Sequence, residues 1–196
     1  GLAHALAAVR AGARVTVVDR DARANGASIR NFGFITVTGQ EQGRVWRLAR
    51  RSAAIWRNVA PAAGIRIDQE GLLVVGQRPE SSAVLDSFMA TEMGEGCRRL
   101  NPSSVADLCP QAHAPAGAIL STHDLRVESR EALPRLAAWL AEVHGVRFRF
   151  GSAVVGMETG RVALANGEAL AADAIFVCPG DDWASLFPSI YAEESI

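Results

Sequence analysis

The chain has 196 residues, of which 49% are hydrophobic and 21% charged, enough to bury a core in one large domain or two small ones. Its 20 Lys and Arg residues nearly balance 21 Asp and Glu residues, which excludes the basic surface that a nucleic-acid backbone requires. Cys97, Cys109 and Cys178 are widely spaced and favour free thiols over a disulfide framework or a metal site. No stretch approaches the ~20 apolar residues of a membrane span, so a cytoplasmic protein is expected.

The first forty residues predict a helix, a strand and a long loop. Residues 2–11 are rich in Ala with Leu and Val on one face, and Gly12 is placed to end this helix. The β-branched run Val15–Val18 predicts a buried strand of a parallel sheet that ends at Asp19. Residues 20–39 lack any period, and unstructured segments of that length are usually functional.

The middle of the chain predicts helices and short strands in alternation. Glu41–Ala60 has the period of an amphipathic helix ended by Pro61. Its expected buried positions are Val45, Leu48, Ala49, Trp56 and Val59. The other predicted elements are the strands Leu72–Val75 and Gly117–Ser121, and the helices Ser82–Met93, Ser104–Cys109 and Ser129–His144.

The last third predicts a small antiparallel meander between two strands of the main sheet. Asn166-Gly167 is a strong hairpin signal. The predicted strands are Val146–Phe150, Val154–Glu158, Val162–Ala165, Glu168–Ala171 and a final buried strand Ala174–Cys178.

Two positions fit the ends of a dinucleotide-binding βαβ unit. Gly1 opens the first helix and Asp19 follows 18 residues later, close to the ~20 residues that separate the glycine turn from the acidic ribose ligand. Gly1 would then be the third glycine of the turn. Without the first two glycines, an ordinary βαβ unit in which Asp19 caps a loop is the alternative. Gly180 comes after the last predicted strand, at the end where ligands bind in such sheets.

The order of four blocks carries a resemblance to a known family. They read GLAHALAAVRAGARVTVVDRD, NGASIRNFGFI, VESREALPRLAAWLAEVHGVRFRFGSAVVGME and ADAIFVCPGDDWASLFP. Together they resemble the D-amino acid oxidase and glycine oxidase superfamily of FAD-dependent oxidoreductases, in a form that lacks both ends. The resemblance implies an α/β fold: a doubly wound parallel-sheet FAD-binding domain of the glutathione reductase-like Rossmann type with a β-meander, over 1–42 and 126–196. Residues 43–125 would form part of an α+β substrate domain.

The resemblance also implies a set of cofactor contacts. Asp19 would bind the adenosine ribose, and Arg20 would lie over the adenine end. Val154 would contact adenine through its main chain. The loop along the pyrophosphate would comprise Ser28, Arg30, Asn31, Phe32, Gly33 and Phe34, and the second crossover strand would approach FAD through Cys178, Pro179 and Gly180. For Arg30 and Asn31, a surface ion pair or a local turn is an equal alternative.

The family resemblance sets the expected chemistry. It implies oxidation of a C–N bond in a small amino acid, secondary amine or aminophosphonate by hydride transfer to flavin N5, with oxygen or a quinone as electron acceptor. No catalytic nucleophile, base or metal is expected, and Arg30 and Gln40 are the substrate-side candidates. Asp19 stands where many members have Glu, and RNFGFITVTGQ looks more like an aminophosphonate-catabolism subgroup. The alternative is an NAD(P)-binding Rossmann module or a non-catalytic flavoprotein.

Overall fold

A computed structural model describes residues 1–189 as two compact units. The first unit comprises Gly1–Asn31, Ala62–Ile65 and the described residues from Ser129 onward, and the second comprises Phe32–Pro61 and Arg66–Glu128. No helix in the part of the chain that the structure describes is long and apolar enough to cross a membrane.

The described residues of the first unit form helices, a parallel strand pair and an antiparallel meander. They include the helices α1 (Leu2–Arg10) and α5 (Ser129–His144). Its strands are β1 (Thr16–Val18), β6 (Arg147–Arg149), β7 (Val154–Glu158), β8 (Arg161–Leu164) and β9 (Ala169–Ala171). β1 and β6 run parallel, with Val17 opposite Phe148. The predicted α/β class is confirmed.

Helix α1 follows its sequence pattern closely. Ala5 and Leu6 are its buried residues, and the helix packs against α5. Gly12 has φ +85° and donates its N–H to the Val9 carbonyl, a turn after the helix that a residue without Cβ makes readily.

The meander β7–β8–β9 has the predicted hairpin at Asn166-Gly167. Gly167 has φ +87° and Leu164 N–H donates to the Glu168 carbonyl at 2.9 Å. This conformation is favourable for glycine, so the local sequence determines where β8 turns into β9.

The predicted strand Ala174–Cys178 is the clearest error in the expected fold. Residues 172–179 carry no strand assignment, and Ala174, Phe176 and Cys178 are exposed. The segment has the alternating exposure of a strand, with Phe176 65% exposed. A strand requires a hydrogen-bonded neighbour, and no described residue forms a ladder with this segment. The sequence pattern alone cannot show whether such a neighbouring strand is present.

The second unit is a four-stranded antiparallel sheet with three helices. Its helices are α2 (Arg44–Ala62, whose last residue lies in the first unit), α3 (Ser81–Met89) and α4 (Pro102–Leu108), with a 3₁₀ turn at Glu92–Gly94. Its strands are β2 (Phe34–Ile35), β3 (Ile67–Val75), β4 (Cys97–Leu100) and β5 (Ala118–Val127). Each of β2, β3 and β4 pairs with β5, so β5 is the central strand.

The buried face of helix α2 differs from the predicted one. Trp46, Ala53, Val59 and Ala60 are buried, whereas Val45 and Leu48 are 41% and 52% exposed. The helix also continues one residue beyond Pro61. Pro61 lies in the last turn, where its missing N–H removes only one bond at the helix end. The prediction of the helix was right, and that of its inner face was wrong in part.

Candidate functional site

Backbone hydrogen bonds fix the turn after β1 to the turn after β6. Asp19 N–H donates to the Arg149 carbonyl at 3.0 Å, and Ser152 N–H donates to the Asp19 carbonyl at 2.9 Å. The Asp19 side chain stabilises its own turn, since its Oδ1 accepts the Asp21 N–H at 3.0 Å. Asp19 therefore lies, partly exposed, at the carboxyl end of a parallel strand, the end at which α/β sheets bind ligands.

Arg20 connects this strand end to the turn that follows Gly180. Its Nη1 donates to Asp182 Oδ2 across 162 residues of sequence. Asp182 also accepts hydrogen bonds from Ser185 N–H at 3.1 Å and Ser185 Oγ at 2.7 Å. Bonds from Ser185 and Arg20 lower the pKa of Asp182 to about 2, and the bond to Asp182 raises the pKa of Arg20.

The segment before Gly180 lies beside helix α1. The Cys178 Sγ is 3.7 Å from Nδ1 of His4, and the rings of His4 and Phe176 are 5.5 Å apart. Gly180 has φ +71°, and a Cβ built there would have no neighbour within 4 Å. The segment before the Pro179-Gly180 turn thus contacts α1, and the segment after it contacts Arg20.

The N-terminus of α1 has backbone N–H groups that an α-helix does not pair within itself. Gly1 is the N-cap residue, no side chain caps this end, and the first turn contains no acidic residue. The N–H groups and the helix dipole at such an end favour phosphate groups.

Side-chain hydrogen bonds to backbone carbonyls hold the loop over 28–31 in place. Asn31 Nδ2 donates to the carbonyls of Ala27 and Ser28 at 3.0 and 2.8 Å, and Ser129 Oγ donates to the Ile29 carbonyl at 3.4 Å. The bonds of Asn31 are those of the local-turn alternative. Ser28 and Arg30 are exposed.

Four candidate residues belong to the second unit. Phe32 and Phe34 are 78% and 61% exposed, and their rings stack 5.7 Å apart. Gly33 between them has φ +72°, and its carbonyl accepts the Val127 N–H at 3.0 Å. Gln40 Nε2 donates to Thr36 Oγ1 at 2.9 Å. Phe34 is in β2, opposite Arg126, where the sequence predicted only loop.

Val154 begins β7 opposite Leu164, next to an irregularity in the pairing. It is half-buried. Its side chain is therefore partly covered within the meander.

Asp124 is an acidic residue of the second unit that sequence reasoning missed. It is 4% exposed and accepts hydrogen bonds from the backbone of Val37 at 2.8 Å and of Thr38 at 3.1 Å, from Thr38 Oγ1 at 2.5 Å and from Ser121 Oγ at 3.0 Å. The available signal was an Asp flanked by the apolar run of β5, but the polar sequence STHD resembles a loop.

The first unit thus has the features of an α/β protein of the dinucleotide-binding class. They are the N-terminus of α1, the carboxyl end of β1, the segment before Gly180 and the meander of β7, β8 and β9. The family described as FAD dependent oxidoreductase matches residues 1–191. The chain belongs to this FAD dependent oxidoreductase family. No curated protein matches it.

Three solved structures show the same fold. Glycine oxidase from Geobacillus kaustophilus superposes with a TM-score of 0.78 at 21% identity, over 97% of this chain and 55% of the other. L-amino acid deaminase from Proteus vulgaris, with its specific insertion sequence deleted, gives 0.79 at 17% identity, over 97% and 53%. Iminodiacetate oxidase from Chelativorans sp. BNC1 gives 0.68 at 18% identity, over 89% and 51%. The chain therefore spans about half the length of each of these proteins.

Proposed function

We propose that the protein containing this chain binds FAD and oxidises a C–N bond of a small amino acid, secondary amine or aminophosphonate. The observation that carries the proposal is the junction within the first unit: the Arg20–Asp182 bond brings the turn after Asp19 next to the turn after Gly180. In a dinucleotide fold the carboxyl end of a parallel strand such as β1 borders the ligand site. Membership of the FAD dependent oxidoreductase family supports FAD as that ligand.

The residues present suit the dinucleotide part of FAD. The N-terminus of α1, which no side chain caps, would receive the pyrophosphate. The Asp19 carboxylate would accept hydrogen bonds from the ribose hydroxyls, and the main chain at Val154 would meet the adenine. The turn of Cys178, Pro179 and Gly180 would let the backbone approach closely, because a Cβ at Gly180 is absent and the space around it is open.

The loop from Ser28 to Phe34 would continue along the cofactor toward its reactive ring. We assign the first unit to the FAD-binding domain, and the second to part of the substrate domain. Arg30 and Gln40 are the proposed substrate-side residues. When bound, FAD would supply the electron sink for a hydride from the carbon next to the amine.

This chemistry requires no protein nucleophile, because the flavin would accept the hydride. The protein has to orient the amine and exclude water. The names of the three similar structures refer to glycine, L-amino acids and iminodiacetate. They have in common an amine nitrogen next to a carbon that bears a carboxylate, and this favours a small amino acid or a secondary amine as substrate.

The test is spectroscopic and uses the intact protein. We expect a yellow protein whose flavin absorption bleaches when it is mixed anaerobically with a small amino acid, an N-substituted amino acid or an aminophosphonate. Restoring the colour with oxygen in one sample and with a quinone in another identifies the electron acceptor. A colourless protein that binds NAD would overturn the proposal, as would a flavin that no amine reduces.

A further inference from the structure

The carboxyl end of β1 carries both an acidic and a basic residue. Asp19 follows the strand directly, and Arg20 follows Asp19. In dinucleotide sites, an acidic residue at this point binds a free ribose, whereas a nearby Arg accommodates a phosphate on the ribose 2′-oxygen. The two neighbours therefore favour different ligands, and the order Asp19-Arg20 leaves the preference open.

The surroundings of Arg20 decide between these two ligands. Its guanidinium is bonded to Asp182 Oδ2, and its side chain is 55% exposed, so a ligand could reach it from solvent. After Asp182, the nearby carboxylates of Asp21 and Asp181 also raise the pKa of Arg20. Asp181 also borders the loop, since its Oδ1 lies 3.7 Å from a Cβ built at Gly26. Arg20 is thus bonded to Asp182, with the negative charges of Asp21 and Asp181 nearby.

The charge around this strand end disfavours an additional phosphate. A 2′-phosphate would have to displace Asp182 from Arg20 and would then face that displaced carboxylate together with Asp19, Asp21 and Asp181. Repulsion between like charges is a common means of rejecting a close analogue of the correct ligand. A ribose with free hydroxyls meets no such repulsion and donates to carboxylate oxygens.

We propose that Asp182 is a specificity-determining residue of the dinucleotide site: by pairing with Arg20 it prevents that cation from binding phosphate, so that the site accepts an adenosine with a free 2′-hydroxyl. This inference rests on the proposed FAD site. It gives a function to Asp182, which lies outside the predicted set of cofactor contacts. The turn bonds from Ser185 hold the Asp182 carboxylate toward Arg20.

The test compares two competitors that differ only in the 2′-phosphate. The flavin-free intact protein is titrated with FAD, with flavin fluorescence quenching as the readout, in the presence of 5′-AMP or of adenosine 2′,5′-bisphosphate. The wild type should favour 5′-AMP. Asp182→Asn should shift the ratio of the two inhibition constants about tenfold toward the bisphosphate, since one charge-assisted hydrogen bond becomes available to the ligand. Arg20→Gln combined with Asp182→Asn should return the ratio to that of the wild type.

The ratio is measured within each protein, so a partly misfolded sample does not imitate the effect. Glu158→Gln is the matched control, because it neutralises the carboxylate of another exposed ion pair in the first unit, with Arg161 at 3.5 Å, and should leave the ratio unchanged. An unaltered ratio in Asp182→Asn, or an equal gain without Arg20, would overturn this inference alone. A wild type that does not quench FAD fluorescence would overturn the proposed function as well.

Discussion

Asp124 and Thr38 are 86 residues apart in sequence, yet the Asp124 carboxylate binds both the backbone N–H and the hydroxyl of Thr38, at 3.1 and 2.5 Å. Along one edge of β5, β4 pairs as far as Ser121 and β2 pairs from Leu125 onward. Asp124 lies between the pairing regions of these two strands, where its side chain accepts hydrogen bonds from the N–H groups of Val37 and Thr38. The carboxylate thus connects the chain after β2 to β5 where no strand pairing does.

Replacement of Asp124 should destabilise the second unit. Asp124→Ala leaves buried backbone donors without an acceptor, which costs about 3 kcal/mol of unfolding free energy. Asp124→Asn retains one acceptor oxygen and should cost less. Urea unfolding followed by circular dichroism measures both. Asp107→Asn is the control, because Asp107 is exposed on α4 and should change stability by no more than about 0.5 kcal/mol. Equal stability of Asp124→Ala and the control would contradict this role.

Gly71 should tolerate Ala less well than Gly39 does. Both glycines have φ +85°, but a Cβ at Gly71 would lie 2.8 Å from the Ser121 carbonyl oxygen, whereas a Cβ at Gly39 would have no neighbour within 4 Å. Gly39→Ala measures the cost of the left-handed backbone alone, about 1 kcal/mol. Gly71→Ala adds a clash inside the irregular pairing of β3 with β5. Unfolding midpoints in urea should therefore fall further for Gly71→Ala, and a reversed order would show that the bulge relaxes freely.

Asp19→Asn should weaken FAD binding without unfolding the turn. The amide retains an oxygen for the Asp21 N–H, which Asp19 Oδ1 now accepts at 3.0 Å. It loses the negative charge proposed to bind the ribose hydroxyls, a loss of about tenfold in affinity. Fluorescence titration of the flavin-free intact protein gives the dissociation constant. Asp173→Asn, an exposed change in the same unit, should have no effect, and wild-type affinity in Asp19→Asn would remove Asp19 from the site.

Asp182 should make stability depend on acidic pH. Its folded pKa is about 2 against an ordinary value of 3.8, so its contribution is fully present above the ordinary value and is lost as the pH falls toward the folded pKa. The difference in unfolding free energy between wild type and Asp182→Asn should therefore be constant near neutrality and should vanish between about pH 4 and pH 2. Chemical unfolding at a series of pH values tests this. A difference that persists at the acidic end would exclude ionised Asp182 as its source.

Local signals in the sequence predicted the elements of the first unit that depend on neighbours along the chain. Helix α1, the strand before Asp19 and the hairpin at Asn166-Gly167 each form from residues close in sequence. The expected strand Ala174–Cys178 has the right composition, but strand formation depends on a partner that composition does not reveal.

The second unit was harder to predict because its sheet depends on distant pairings. β5 extends through Ser121, Thr122, His123 and Asp124, residues that resemble a loop when read alone. They are in a strand because β3 pairs with β5 on both sides of Thr122–Asp124, and because Asp124 accepts hydrogen bonds from the Val37 and Thr38 backbone. The same holds for β4, whose polar sequence Cys97–Leu100 gains its partner only from β5. Gly1, Asp19 and Gly180 were candidates from the sequence pattern, and the other site residues followed from the family resemblance. Asp182 became evident only through its contact with Arg20.

The central position of β5 has a consequence for biosynthesis. A ribosome makes β2, β3 and β4 first, and all three pair with a strand that ends at Val127. Their backbone groups must wait for β5 before they find ladder partners, and such non-local pairing slows folding. Translation pauses placed just before Ala118 should therefore prolong exposure of a nascent intermediate to chaperones and proteases, whereas pauses placed after the strand has left the exit tunnel should not.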